Sequence, residues 1–516
     1  MSEKRFKYII VGGGLAGISA AGGIREVDGN SEILMIGAEP HLPYDRPPLS
    51  KKLWFGTKTV EQIFVHDRGW FDKNRVTPAL GTRVMALDAG KKVLTDQHGD
   101  LYRFDKLMLA TGGVPRRLPL PGGDLPEICY YRYLDDYLSL RVQAVGGKSA
   151  IVVGGGFIGS EMAAALNINK VDVTMIFPEK VIAERVMPGY LGRHVQQHFI
   201  ERGVTVLNED QPIRFEKACG QIVMTTARGR EVKADIALAG IGIEADQRLA
   251  KAAGLKVGNG IVVDETARTS APDIYAAGDN AFFPYRALGR AMRLEHWDHA
   301  INHGKCAGRN MAGAGEPYTH MPYFFSDLFE FGYEAVGDID PALETSATWQ
   351  KENEEGTIYF LKDGRVRGAM MCNVWDKVPE AREMILRGEA ITPPQPPRET
   401  RGGGGAMSIA DEKCVRPALG DKPLALEAAR SLAREIPGWT LGPDSIEREF
   451  RLTDFGRAVE FINQVAGIAA EQDHHPDIFN SYNVVRLKLS THKIGGLSRN
   501  DFIVAAKIDR LAAGVK

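Results

Sequence analysis

Long hydrophobic runs are missing from this chain. No stretch of about eighteen apolar residues occurs in its 516 positions, so an ordinary transmembrane helix is excluded. Charge of one sign is missing too. The 64 Lys and Arg are balanced by 66 Asp and Glu, the net charge is −2, and the basic residues do not cluster. That removes the electrostatic basis for binding nucleic acid or an anionic membrane. Cysteine is scarce: Cys129, Cys219, Cys306, Cys372 and Cys414 are scattered, with no Cys-x-x-Cys. This spacing argues against a structural zinc site and a dithiol redox centre, and for a reducing compartment. Each cysteine is expected to be a small buried apolar residue. The chain enters its first strand by Phe6, leaving no room for a signal peptide, so a cytoplasmic protein is expected.

What is present is a repeated fingerprint. Val11-Gly12-Gly13-Gly14-Leu15-Ala16-Gly17 follows the apolar run Tyr8-Ile9-Ile10, and Val153-Gly154-Gly155-Gly156-Phe157-Ile158-Gly159 follows Ala150-Ile151-Val152. Each reads as strand, Gly-x-Gly-x-x-Gly turn and helix start. The first glycine permits the tight turn, the second admits a pyrophosphate to the backbone, and the third packs helix on strand. Glu39 closes the apolar strand Glu32–Ile36 and is placed to accept ribose hydroxyls. Glu179 closes Val171–Phe177 in the same way and favours NADH over NADPH, with Lys180 and Arg185 nearby. Two dinucleotide sites in one chain point to a flavin supplied by a nicotinamide.

Two further strands end in glycine turns: Leu107-Met108-Leu109-Ala110-Thr111-Gly112 and Asp273-Ile274-Tyr275-Ala276-Ala277-Gly278-Asp279. The second returns to the first domain and delivers Asp279 to the flavin's ribityl or pyrophosphate region. The nicotinamide domain is therefore expected as an insertion in the flavin domain. From about residue 321 the pattern is β-rich and closes in a helix near Val378–Gly388. A Pro-rich then Gly-rich stretch, ending in Gly402 to Gly405, reads as a linker. Beyond it, Ala425–Glu435, Thr453–Ala470 and Ser498–Ala513 read as helices, with Phe455, Ala458, Phe461, Ile462 and Val465 on a buried face and Ser498 as an N-cap. Glu447–Leu452 and Val484–Thr491 alternate as strands.

The first 390 residues resemble the apoptosis-inducing-factor-like flavoproteins and the NADH-dependent ferredoxin reductases of oxygenase systems. The likeness rests on Leu42-Pro43-Tyr44-Asp45-Arg46-Pro47-Pro48-Leu49-Ser50-Lys51, both fingerprints, Ala110-Thr111-Gly112, Ala277-Gly278-Asp279 and Leu294-Glu295-His296-Trp297. It implies FAD, NADH and hydride transfer to the flavin. It also implies that Arg46 and Lys51 contact FAD, that Glu161 reaches Lys51 and the nicotinamide carboxamide, that Asp279 holds the ribityl chain, and that Glu295, His296 and Trp297 line the flavin face. Trp297 is expected to stack on flavin or nicotinamide. Phe325 precedes Ser326-Asp327-Leu328 where the apoptosis-inducing factors carry Trp.

The tail is similar to pterin-4a-carbinolamine dehydratases through Asp473-His474-His475-Pro476-Asp477, Tyr482, Leu489-Ser490-Thr491-His492, Gly495-Gly496-Leu497-Ser498, Asp501 and Trp439. The resemblance implies His474 and His492 as an acid–base pair, with His475 positioning the pterin or acting as base; no metal is expected. Ala470 stands where that family often has an acid, with Glu471 displaced by one.

The expected architecture is α/β. A FAD-binding domain (1–130 and 260–320), an NADH-binding domain (131–259) and a β-rich reductase domain (321–392) come first, the two dinucleotide-binding domains being Rossmann-like. A linker (393–408) and a small α+β dehydratase-like domain (409–516) follow. The function read from this is pterin recycling: dehydration of a 4a-hydroxytetrahydropterin, then NADH- and FAD-dependent reduction of the quinonoid dihydropterin. Alternatives are a ferredoxin or quinone reductase with an independent dehydratase, and an NADH-sensing flavoprotein whose tail is an assembly module. A homo-oligomer formed through the tail is expected, with no nucleic-acid or membrane partner.

Overall fold

The computed structural model describes residues 3–391, 409–414 and 423–514. The chain divides into two compact units, Met1–Gln395 and Pro396–Lys516. The stretch read as a linker, 393–408, lies outside the described residues.

In the first unit, the strand Glu3–Val11 pairs in parallel with Ile33–Ile36 on one side and Leu101–Leu109 on the other. Val76–Ala79 and Ile274–Ala276 extend the parallel sheet at either side. Ile9, Ile10, Ile33, Met35, Leu107 and Met108 are almost fully buried, as expected of parallel strands covered on both faces. The helix Leu15–Val27 lies against the helix Trp297–Met311 so closely that glycine is required. A Cβ at Gly304 would fall 2.3 Å from Ala16 O, and one at Gly308 2.0 Å from Ala20 O. That contact brings the segment around residue 297 to the end of the first glycine turn.

A second parallel sheet runs Thr205–Asn208, Asp172–Phe177, Ser149–Val153, Ile236–Ala239 and Ile128–Cys129. Its chain segment lies between Leu101–Leu109 and Ile274–Ala276, strands that pair with each other in the first sheet. The short antiparallel pair Gly113–Pro115 and Ile243–Ala245 joins the two crossing segments. A five-stranded antiparallel sheet, Tyr323–Leu328, Phe331–Gly337, Arg365–Cys372, Glu355–Lys362 and Glu344–Lys351, follows with the helix Val378–Arg387. Gly388 ends that helix at φ 57°, the left-handed conformation favoured at a helix C-terminus.

The second unit is an antiparallel sheet, Thr440–Leu441, Ile446–Arg451, Val484–Leu489 and Asp477–Ser481, with helices Leu426–Ala433, Phe455–Gln472 and Arg499–Gly514. Phe461, Val465, Val485, Leu487, Phe502 and Val504 form its core.

Three expectations are corrected. The middle helix starts at Phe455, because Asp454 caps it by accepting from Arg457 N, and not at Thr453. Phe455 is 51% exposed: as the first helical residue it projects beyond the core and stacks on Tyr482. Among the cysteines, only Cys372 is fully buried and Cys219 is exposed on a turn. Among the described residues, no helix is long and apolar enough to cross a membrane, and no cluster of His, Cys, Asp and Glu could hold a metal ion.

Candidate active sites

The strands Glu3–Val11 and Ser149–Val153 both end at one cleft of about 1410 Å³ in the first unit. Ligands of open α/β sheets bind in this way, beyond the carboxyl ends of the strands. The three glycines of each fingerprint divide by role. Gly12 (φ +125°) and Gly154 (φ +118°) make the turns, and a Cβ would strike Ala110 O at 2.1 Å or Gly240 O at 2.5 Å. Gly17 and Gly159 pack each helix on its own turn, at 2.1 Å from Gly12 O and 1.9 Å from Gly154 O. Gly14 and Gly156 line the cleft with nothing within 4 Å of their Cβ positions. Each also stands at a helix N-terminus, where free N–H groups favour an anion.

Around the first turn, Glu39 accepts from Arg46 Nη2 (2.9 Å) and Tyr44 OH (2.6 Å). Arg46 also donates to Arg132 O and packs over the rings of Tyr44 and Tyr133. Ala110, Thr111 and Gly112 border the cleft, and Thr111 Oγ1 donates to Asp246 O. Asp279 is paired with Arg132 at 3.2 Å, and Glu295 with Arg293 at 2.6 Å. Partial desolvation in the cleft raises the Glu295 carboxyl above its usual range and lowers the His296 imidazole to about 4. Trp297 Nε1 donates to Asp45 Oδ1 (2.9 Å), and its ring meets Phe325 edge-on. Near the second turn, Glu179 pairs with the exposed Arg185.

At the inner end of the cleft Lys51 Nζ lies 2.7 Å from Glu161 Oε1, with side chains only 5% and 4% exposed. The Lys51 ammonium also faces the Phe325 ring, 4.9 Å from its centroid. Ser50 Oγ donates to Glu161 Oε2 (2.5 Å) and Ser326 Oγ to Oε1 (2.6 Å).

The flavoprotein residues singled out from the sequence border this cleft, except Lys180 and the glycines Gly17 and Gly159, which shape it from behind. Arg132, Tyr44, Arg293, Ser50 and Ser326 were not singled out. Tyr44 and Ser50 carried a signal as parts of the Leu42–Lys51 stretch, and Ser326 as part of Ser326-Asp327-Leu328; Arg132 and Arg293 carried none. The cleft fits a dinucleotide pair on its own terms: two open glycine cradles at helix N-termini, and buried polar atoms, Arg132 Nε and His296 Nδ1, with no protein partner.

In the second unit the buried His474 has its Nε2 2.7 Å from Asp501 Oδ1. Asp501 Oδ2 accepts from Thr491 Oγ1 and Ser498 N, each at 2.7 Å. A carboxylate only accepts, so His474 Nε2 must carry the proton it shares with Asp501. Ser498 Oγ accepts from Asn500 N, so Ser498 and Asp501 cap the last helix reciprocally. His475, the next residue, is exposed. His492 opens the turn His492–Ile494, and its side chain lies outside the described atoms.

Comparison with known proteins gives a family for each unit. The model of the family described as "Pyridine nucleotide-disulphide oxidoreductase" matches residues 6–304. The C-terminal domain of mitochondrion-associated apoptosis-inducing factor matches residues 307–357, and "Pterin 4 alpha carbinolamine dehydratase" matches residues 422–511. The ferredoxin–NAD(+) reductase component of an anthranilate 1,2-dioxygenase system from Burkholderia cepacia is 35% identical over 392 residues, covering 75% of this chain and 96% of that protein. Apoptosis-inducing factor 1 of Dictyostelium discoideum is 33% identical over 427 residues, covering 75% and 80%. The crystal structure of a covalent putidaredoxin reductase–putidaredoxin complex matches with a TM-score of 0.71 at 28% identity, over 76% of this chain and 95% of that one. The chain belongs to the pyridine nucleotide-disulphide oxidoreductase family: it is an FAD- and NADH-dependent flavoprotein of the ferredoxin-reductase type that carries a pterin-4a-carbinolamine dehydratase domain in its C-terminal unit.

Proposed function

We propose that the two units serve one purpose, the recycling of a pterin cofactor. The C-terminal unit removes water from a 4a-hydroxytetrahydropterin: a proton goes to the departing 4a oxygen and another leaves N5, giving a quinonoid dihydropterin. Imidazole titrates near neutral pH and suits both transfers, so His474 and His492 take these roles, with His475 beside the substrate. The Asp501 carboxylate fixes the His474 proton on Nε2, leaving Nδ1 as the acceptor.

The product is a two-electron oxidant. Bound FAD would supply two-electron chemistry between NADH and the pterin, so that hydride-level reduction by the first unit, with one proton from water, would return the tetrahydropterin. Gly14 and Gly156 admit the two pyrophosphates, Glu179 orients the nicotinamide dinucleotide, and Lys51 and Glu161 stand where the two rings would meet. The observation that carries this reading is the presence of both sites on one chain. A cytoplasmic homo-oligomer held together by the dehydratase unit belongs to the same proposal.

A second reading is favoured by the relatives: reduction of an iron–sulfur protein, with the dehydratase acting independently. Anaerobic NADH oxidation by the full chain, with quinonoid dihydropterin offered against a ferredoxin and a quinone, separates the two. Recycling requires a saturable, FAD-dependent rate with the pterin above the uncatalysed one. Turnover with the other acceptors alone would leave only the second reading.

A further inference from the structure

Glu161 is buried and lies between elements distant in sequence. Ser50 lies 111 positions before it and Ser326 165 positions after it. A carboxylate offers about four lone-pair positions. Three are taken here: Lys51 and Ser326 share Oε1, and Ser50 holds Oε2. One remains, on Oε2. Left alone, a terminal carboxylate turns broadly about its last bond. Gripped at both oxygens it cannot.

We infer that Ser50 and Ser326 are positioning residues that lock the Glu161 carboxylate so that it offers a single acceptor to a primary carboxamide N–H. This rests on the reading that Glu161 receives the nicotinamide carboxamide. Ser50 adjoins Lys51, which carries the ammonium, and Ser326 adjoins Phe325, whose ring faces that ammonium. The strand Tyr323–Leu328 of the C-terminal sheet, whose Phe324 and Phe325 line the cleft, thereby takes part in nicotinamide selection through Ser326, which acts by way of Glu161.

The test is equilibrium binding of NAD+ and of its 3-acetylpyridine analogue, which has a methyl group in place of the amide NH2, to the FAD-loaded full chain. A hydrogen bond to a charged group makes the wild type prefer NAD+ by about tenfold. The double variant Ser50→Ala/Ser326→Ala, with flavin content unchanged, should shrink that preference by about threefold or more, and Ser326→Thr, which keeps a hydroxyl, should retain it. Ser50→Ala alone provides a milder variant should the double one fold poorly, and its preference should fall in the same direction. If Glu161→Ala removes the preference while the serine variants keep it, the positioning inference fails and the role of Glu161 stands. If Glu161→Ala keeps the preference, the role of Glu161 fails and the inference with it.

Discussion

His474 Nε2 lies 2.7 Å from Asp501 Oδ1, and Asp501 is completely buried. The carboxylate holds one imidazole tautomer and directs Nδ1 away from itself. Asp501→Asn keeps the shape but can present an amide N–H to the ring, which permits the other tautomer. We expect dehydration of 4a-hydroxytetrahydropterin to slow by about a hundredfold, the scale of one acid–base contribution. NADH oxidation with ferricyanide should be unchanged. A loss of dehydration rate under about twofold would remove Asp501 from the mechanism.

The glycines of the two fingerprints should respond differently to alanine. Gly14 and Gly156 have φ of −98° and −84°, which L-residues adopt freely, and open space at Cβ. Gly14→Ala should fold normally but lose FAD affinity, and Gly156→Ala should raise the KM for NADH by on the order of tenfold, about 1.4 kcal/mol. Gly159→Ala meets Gly154 O at 1.9 Å and should instead lower the melting temperature. Flavin content, KM and Tm measured on the three variants check the division.

Asp298 anchors the C-terminal sheet and helix to the helix that begins at Trp297. Its Oδ2 takes His320 Nε2 (2.6 Å), Arg382 Nη2 (3.0 Å) and Tyr323 N (3.2 Å). Asp298→Ala leaves the largely buried Arg382 guanidinium without its carboxylate, which typically costs about 3–5 kcal/mol. Chemical denaturation should register that loss together with release of flavin. A change below about 1 kcal/mol would show that the network adds little, as at a surface ion pair.

Acid should weaken the first unit through the half-buried His296 and the fully buried His303. Burial lowers His296 from its ordinary 6.5 to about 4 and His303 to about 3. The unfolded chain therefore binds protons at these positions before the native state does. Stability is full above pH 6.5 and falls as the pH drops through the window toward 4 and 3. Replacing His303 by Gln removes one such proton, so the slope of unfolding free energy against pH between 6.5 and 4 should flatten relative to the wild type. An unchanged slope would mean that His303 is solvated in the native protein.

Much of this protein was legible in the chain because its signals are local. A Gly-x-Gly-x-x-Gly turn between an apolar strand and a helix specifies its own backbone: Gly12 and Gly154 need positive φ, and Gly17 and Gly159 need to be side-chain-free, for reasons contained within a few residues. The alternation of Val484–Leu489 and the apolar face carrying Ala458, Phe461 and Val465 are equally local. Phe455 was misjudged because period alone does not say where a helix leaves the core.

The two dinucleotide turns and the acid near the end of each following strand can be read from the chain alone, because neighbouring residues specify them. Tertiary structure decided the partners of the charged groups. Nothing near Glu161 in sequence announces that Ser50 and Ser326 will hold it, nor does Arg132 announce Asp279. Those contacts arise where separate elements converge on one cleft. Buried polar atoms must find partners there, and the packing of distant segments determines which partners are in reach.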